Sequence, residues 1–430
     1  MRPTIFKERT LGRNNSLAFM LTNLLGKGLA GFSQVYAIYV FTKIHSISES
    51  ALLFILLGYA IWFQIFEVGL AQTLQNKFNL REMTSRDVLI SLVTHYAFLL
   101  IVAIFIGSTN IAANYLLADL ASSAGVEGVR AFSVGSAIFI LASSNVVIQR
   151  ILLIFNKGLI GNALLLIQSL LSIAALTIYQ YFDRPNLLVA VIAYLGAQIL
   201  VVLPTLIAII LKIASSRVAR RKTTILKTAL DAVIFCGIGL LSSVFLGSDY
   251  YFAAHFLNGD EVVSYHVTTR IFFISFVIYY AYLLHRAKNI KKTHILESCQ
   301  ISLIAKEALV LGIASVISIG LIALFINNAG FFIRLTNGVE ISIGLLLLAT
   351  TYFLIRVCRD VGIMLLANLN YRLTIYKIHI LEIAIGIGLM LYLVPIFGSK
   401  GIYFSLTCAC LVSTIFLVIE FKKIIGPRKI

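Results

Sequence analysis

Four basic side chains stand where hydrocarbon is expected. The stretch Ile341 to Asn368 reads as a membrane-crossing helix, yet it carries Arg356, Arg359 and Asp360. Lys27 lies inside a second such stretch and Arg270 inside a third. An ionised side chain at the centre of a bilayer costs about 2.5–3.5 kcal/mol on insertion scales. A chain that keeps several of them is expected to use them. The excess is positive, so the chemistry indicated is attraction of something negative. Arginine's planar fork suits phosphate oxygens, and lysine supplies a compact point charge to the same group.

Spacing refines this. Arg356 and Arg359 are three residues apart and share a helix face. Asp360 is four from Arg356 and can pair with it, whereas Arg359 and Asp360 are adjacent and are expected to point apart. Full internal pairing then leaves one arginine over. Lys27 sits in Gly26-Lys27-Gly28-Leu29-Ala30-Gly31. Ser16 is roughly 16 Å away along a helix, too far for the lysine to snorkel to the interface. The flanking glycines leave room for a ligand or a close helix. The alternative is that a carboxylate such as Glu382 neutralises Lys27.

Arg270 follows Thr268 and Thr269 and precedes a run rich in Phe and Tyr. Asp249, Asp360 and Glu382 are acidic groups in apolar surroundings. They are candidates to bind H⁺ or Na⁺ and couple transport to an ion gradient. Asp249 reads first as a structural hydrogen-bond acceptor near the interface, and second as an ion-coupling group. His266, one turn from Arg270, and His95 read as hydrogen-bonded packing residues. Gln34, Gln64, Asn145, Gln149, Gln168 and Gln198 could meet sugar hydroxyls or merely bridge helices.

The elements that position these groups follow from composition. The chain has 430 residues, 60% of them hydrophobic and 12% charged, with mean hydropathy +0.97. Soluble domains carry about 25% charged residues. The class expected is therefore an all-α polytopic membrane protein. Apolar runs predict about twelve spans of the needed length, near 16–42, 50–75, 88–107, 131–155, 158–181, 187–211, 228–256, 260–284, 305–326, 341–367, 375–394 and 402–421. The first run is too long for the apolar part of a signal peptide and is expected to be retained.

The net charge is +17. With the N-terminus inside, most basic loop residues fall inside, including Lys77, Arg81, Arg86, the run Lys212 to Lys222, and Arg286 to Lys292. Outside lie Lys43, Arg130, Arg184, Arg334 and Lys400. This asymmetry places both termini in the cytoplasm and explains the charge without nucleic acid as a partner. The connections are short; the longest outside one runs from Ser108 to Arg130. No GxxxxGK[ST] motif is present, so ATP hydrolysis is not expected. Cys236, Cys299, Cys358, Cys408 and Cys410 show no metal-ligand spacing and read as buried thiols. No cofactor or metal is expected.

The two halves repeat. A shift of 215 residues lays Ser33-Gln34-x-Tyr36-x4-Phe41 on Ser248-Asp249-x-Tyr251-x4-Phe256. An even number of spans separates the copies, so both enter the membrane in the same sense. Parallel repeats of this kind place a substrate site at their interface. The domains expected are a six-helix bundle over 1–211, a linker over 212–224 and a second bundle over 225–430.

Two local patterns carry a family resemblance. Glu67-x-Gly69-Leu70-x-Gln72-x-Leu74-Gln75-Asn76-Lys77 resembles the acidic-x-Gly stretch, ending in Gln-Asn-Lys/Arg, of polysaccharide-transporter proteins. Asp249, then His255-Phe256-Leu257-Asn258-Gly259, Val262 and Tyr265 resemble the junction between the seventh and eighth helices of the same group, with the glycine displaced by one position. Together they are similar to O-antigen flippases of the Wzx type, in the multidrug/oligosaccharidyl-lipid/polysaccharide (MOP) exporter superfamily. The resemblance implies two six-helix bundles in a V around a central cavity. It implies membrane lipids as surroundings and an undecaprenyl-pyrophosphate-linked oligosaccharide as cargo, moved between leaflets of the bacterial inner membrane. It also implies polysaccharide polymerase or chain-length machinery as partners. Lys27, Arg270, Arg356 and Arg359 would line the cationic cavity, with no catalytic residue. The rival readings are a drug/cation antiporter of the same superfamily and a membrane polymerase or glycosyltransferase acting on the same lipid.

Overall fold

The computed structural model describes residues 13–425, except 68–69, 80–82, 118, 156, 182–185, 215–224, 291–297 and 369–370. Most of the expected linker, and Gly69 of the first motif, lie outside the described residues. Every described regular element is a helix or helical turn.

The first half comprises α1 (Arg13–Ile44), α2 (Ile47–Gly58), α3 (Ala60–Phe63), a 3₁₀ turn (Gln64–Glu67), α4 (Leu70–Asn79), α5 (Ser85–Thr109), α6 (Ile111–Leu116), α7 (Asp119–Ala142), α8 (Ser144–Ile154), α9 (Gly158–Tyr179) and α10 (Leu187–Ala214). The second comprises α11 (Ile225–Phe256), α12 (Gly259–Ile290), α13 (Ser298–Asn328), α14 (Phe331–Leu335), α15 (Ile343–Asn368), α16 (Arg372–Phe397) and α17 (Ser399–Ile425).

Eight helical stretches among the described residues are long and apolar enough to cross a membrane: α5, α7 with α8, α9, α10, α12, α13, α16 and α17. The other expected spans correspond to α1, the α2–α4 series, α11 and α15. α15 has the length of a span but carries Arg356, Arg359 and Asp360 within it.

Two expectations need correction. The second span, read as continuous over 50–75, is interrupted at Tyr59 and tightens into a 3₁₀ turn at Gln64–Glu67. A 3₁₀ piece inside a helix often marks a hinge. The Ser108–Arg130 connection, read as a loop, contains α6 and the start of α7. The chain turns at Asn110, where φ is +55°, and at Gly125, where φ is +65°, a conformation glycine adopts without steric cost.

Helix starts follow local chemistry. Ser46 and Glu49 form a reciprocal capping box at α2, as Thr84 and Asp87 do at α5. Such a box satisfies two backbone donors that a helix start leaves open. Asn258 Oδ1 accepts the Glu261 N–H at 2.9 Å and caps α12.

Packing repeats between the halves, as the 215-residue shift does. α1 lies against α9, α5 against α7, α7 and α9 against α10, and α2 against α7. In the second half α11 lies against α16, α13 against α15, α15 and α16 against α17, and α12 against α15. The halves meet where α1 and α2 face α12 and where α11 crosses α2, α3 and α4. The largest apolar cluster runs through this seam, with Phe41 and Phe54 from one side and Phe245, Tyr250 and Phe272 from the other. The result is an all-α, two-bundle membrane fold.

Candidate functional site

The seam is tight from the α1–α2 turn, on the side read as outer, down to the far end of α2, with Gly259 against Ile47 at the turn. Gly58 lies directly on the Tyr250 ring and Gly247 beneath the Trp62 indole; a Cβ at either place would overlap those rings. The His266 ring stacks on Phe54 at 4.6 Å and 3°, and its Nδ1 pairs with the Tyr250 hydroxyl at 2.9 Å. Thr42 donates to the Leu335 carbonyl at 3.0 Å. Aromatic rings set against glycines thus close this stretch by direct contact.

Arg270 lies just inside that closure. From α12 it reaches into the other half, where its Nη2 donates to the Leu57 carbonyl at 2.9 Å and its Nη1 to Gln34 Oε1 at 3.5 Å. Its Nε approaches His266 Nε2 at 3.4 Å. Leu57 is at the end of α2, where carbonyls lack intrahelical partners and carry the negative end of the helix dipole. Among the described residues, no carboxylate pairs with Arg270. Asp249 is buried nearby and accepts from the Tyr265 hydroxyl at 2.5 Å and the Tyr250 N–H at 2.8 Å. The second motif's two ends, Asp249 and Tyr265, therefore bond to each other.

Lys27 occupies the seam one step deeper. Its Nζ lies over the Tyr280 ring, 5.0 Å from the centroid. Tyr280 stacks on Phe276 at 4.8 Å, and Phe276 on Phe273 at 5.0 Å. The Arg356 guanidinium lies 5.6 Å from the Phe276 centroid. One aromatic column on α12 thus joins a cation from the first half to a cation from the second. A ring face attracts a cation by roughly 0.5–2 kcal/mol without cancelling its charge. Among the described residues, no carboxylate pairs with Lys27, and the alternative partner Glu382 is engaged elsewhere. Gly31, between Lys27 and Gln34 on the same strip of α1, has open space where a side chain would be.

Sequence reasoning missed Arg150. It lies on α8, within electrostatic range of both Lys27 and Glu67. Its signal was the same as that of Lys27, a charge inside an expected span. Glu67 accepts the Ala71 N–H at 2.9 Å and so caps the broken helix α4. Gln75 and Asn76 of the same motif are on α4, but their side chains lie outside the described residues.

The arginines of α15 differ from expectation. Arg359 and Asp360 do not point apart: Arg359 Nη1 meets Asp360 Oδ1 at 2.8 Å, because the arginine side chain is long enough to fold back. Arg359 also grips Glu382 of α16 through Nε at 2.6 Å and Nη2 at 2.5 Å. His379 Nδ1 is 3.1 Å from Glu382 Oε2. Arg359 is 4% exposed and Glu382 fully buried. Arg359 is therefore a buried, carboxylate-matched group here, not a lining cation, and Glu382 is held by a permanent charge instead of standing open to an ion. The predicted Arg356–Asp360 pair is present, with Nε to Oδ2 at 3.3 Å. Arg356 also donates to the Tyr352 hydroxyl at 3.2 Å and is ringed by Phe276, Tyr352 and Phe353.

The polar residues divide. Gln34 serves Arg270, whereas Asn145 and Gln168 bridge α8 and α9 with a 3.0 Å bond. His95 is buried, but its Nε2 has no protein partner, contrary to the satisfied histidine expected. Cys236, Cys358, Cys408 and Cys410 are free thiols. No cluster of three metal-ligating side chains occurs among the described residues.

No protein-family model matches the chain. Among curated proteins it is similar to a "Putative O-antigen transporter" of Salmonella typhi, 27% identical over 384 residues, covering 83% of this chain and 84% of that one. Among solved structures it is similar to a multidrug resistance MATE family transporter of the MOP superfamily in its inward-facing conformation. The TM-score is 0.65 at 14% identity, over 96% of this chain and 98% of that one. It is also similar to the lipid II flippase MurJ, inward closed, with TM-score 0.65 at 13% identity over 95% and 87% of the two chains. A MOP superfamily transporter from Pyrococcus furiosus gives 0.63 at 14% identity over 96% and 95%. The chain has the fold of the MOP superfamily transporters, and the O-antigen transporter to which it is similar is of the kind that its own motifs resemble.

Proposed function

We propose that the protein is a flippase that carries an undecaprenyl-pyrophosphate-linked oligosaccharide, an O-antigen unit or similar, across the bacterial inner membrane by alternating access. The observation that carries this reading is Lys27. It is a cation in mid-span, held by an aromatic face, without a carboxylate partner among the described residues, at the seam of two repeats. Arg270 repeats the pattern from the opposite half, with a carbonyl and an amide oxygen in place of a carboxylate. A dianionic head group in the seam would supply the missing charge. The names of the Salmonella relative and of MurJ support the same class of cargo.

In this reading the pyrophosphate sits between α1 and α12, the glycan occupies the aqueous interior and the polyprenyl tail stays in lipid. Both termini are cytoplasmic, and no covalent bond is made or broken. Asp249 is the acidic group best placed to couple transport to H⁺ or Na⁺, because Asp360 and Glu382 are engaged by arginine. The drug/cation antiporter reading asks for an acidic seam, and the seam's unmatched side chains are basic. A polymerase working on the same glycan lipid remains the partner expected downstream.

The test is complementation of a strain that lacks its own flippase. The wild-type chain restores surface glycan, and Lys27→Glu does not. Glycan export retained with Lys27→Glu and Arg356→Glu, together with loss of drug resistance, would overturn the flippase reading in favour of the antiporter.

A further inference from the structure

Asp360 is oversupplied with donors. Arg359 Nη1 approaches it at 2.8 Å, the Tyr279 hydroxyl at 3.0 Å and Arg356 Nε at 3.3 Å. Arg359 is fixed from the far side by two bonds to Glu382, with His379 beside them. Asp360 would therefore keep two donors if Arg356 left. Arg356 holds Asp360 by the longest of the three contacts, and its other polar contact is a neutral hydroxyl, that of Tyr352.

Direction matters as well. Arg359 points away from the seam, toward α16 and the Phe245 ring of α11. Arg356 points at Phe276, the same ring column that ends under Lys27. Its side chain is 11% exposed, against 4% for Arg359. One arginine faces inward and is locked; the other faces the seam on a single shared carboxylate.

We propose that Arg356 is a releasable anion-binding cation, and that Arg359, Glu382 and Tyr279 are positioning residues that make its release from Asp360 cheap. The ligand class is a pyrophosphate, free or as a lipid head group. The inference rests on the flippase reading for its cargo but not for its geometry. A buried carboxylate stripped of its only donor resists losing it, because an unpaired charge is left behind. Here Arg359 and the Tyr279 hydroxyl remain on Asp360, so the guanidinium can turn to a phosphate and exchange one charge-assisted bond for another. The arrangement also gives a role to each of the two arginines and two carboxylates linked here across α15 and α16: the Arg359–Glu382 pair keeps Arg356 available.

The experiment is a double-mutant cycle on the full-length protein in nanodiscs, with two probes, undecaprenyl pyrophosphate without glycan and inorganic pyrophosphate. Tyr279→Phe removes one donor and makes Asp360 cling to Arg356. It is expected to weaken binding about tenfold, the scale of one hydrogen bond to a charged group. With Arg356→Lys already present, Tyr279→Phe is expected to change binding less than about twofold. Equal losses in both backgrounds would show a merely structural role and overturn the proposal, as would no loss in the first. Binding of both probes assigns the recognised group to the pyrophosphate itself; binding of the lipid alone assigns it to the head group held by its tail. If neither probe is weakened by Arg356→Lys, the proposal fails while the Lys27 site stands.

A second measurement is independent of folding losses in Tyr279→Phe. In a cysteine-free chain, Arg356→Cys is expected to react with a membrane-impermeant charged thiol reagent and to be shielded by undecaprenyl pyrophosphate. Arg359→Cys is expected to stay unreactive. Equal reactivity at both positions, or shielding at neither, would contradict the division between them.

Discussion

The Arg270 guanidinium donates to the Leu57 carbonyl oxygen at 2.9 Å, and the two residues belong to opposite halves of the molecule. Leu57 is the next-to-last residue of α2, directly before the Gly58 that admits the Tyr250 ring. The bond therefore fastens the two halves to each other beside the Gly58–Tyr250 contact. A hydrogen bond to a charged group contributes about 1.5–3 kcal/mol. Arg270→Gln is expected to loosen the outer end by about that amount. A cysteine pair at Ile47 and Gly259, adjacent across the seam, should cross-link less readily in that variant. Unchanged cross-linking would separate Arg270 from closure.

The glycines of the seam make a steric prediction. Gly58→Ala places a methyl group inside the contact distance of the Tyr250 ring, which must shift to admit it. Overpacking of this kind costs about 1–3 kcal/mol. The variant is expected to fold, because the wedge lies between bundles and not within one, and to export poorly. Gly388→Ala on α16, which meets nothing, is the control expected to export normally.

The pair Arg359–Glu382 sets a stability prediction. Glu382→Ala leaves a buried arginine with one shared carboxylate, and breaking such a pair typically costs 3–5 kcal/mol. Replacing both partners by apolar residues, Arg359→Met with Glu382→Leu, is expected to recover much of that loss in thermal unfolding. Equal destabilisation by the single and double changes would show that packing, not charge matching, governs this place.

The hydrogen-bonded position of Asp249 gives a prediction about coupling. Asp249→Asn keeps the size of the side chain and removes its charge. Export by this variant is expected to lose its dependence on the ion gradient while substrate binding persists. Measuring substrate-driven ion flux in proteoliposomes checks it; full retention of flux would leave Asp249 as a structural acceptor of the Tyr265 hydroxyl.

Much of this architecture was legible in the residues. The 215-residue repeat foretold that α1 and α11 occupy equivalent places, and the packing of each half bears the same pattern. The charges of Lys27 and Arg270 marked the seam because nothing in their own spans could neutralise them. Two things were not legible. The direction of Arg359 depended on Glu382, twenty-three residues on in another helix, and helix spacing describes only neighbours on one helix. The interruption at Tyr59 carries no proline to announce it; α11 packs against α2, α3 and α4 there, a tertiary contact that a local pattern does not contain. Arg150 was legible but overlooked, since it sits near the end of its expected span, where snorkelling is an easy explanation.

The account rests on Lys27 and Arg270 presenting unmatched positive charge to an anionic head group. The most direct measurement is translocation by the purified protein in vesicles, comparing one glycan carried on undecaprenyl pyrophosphate with the same glycan on a neutral polyprenyl lipid. The account predicts movement of the first and not the second, abolished by Lys27→Glu and Arg270→Glu and kept by Lys27→Arg. Equal movement of both lipids, or movement that survives both charge reversals, would contradict it.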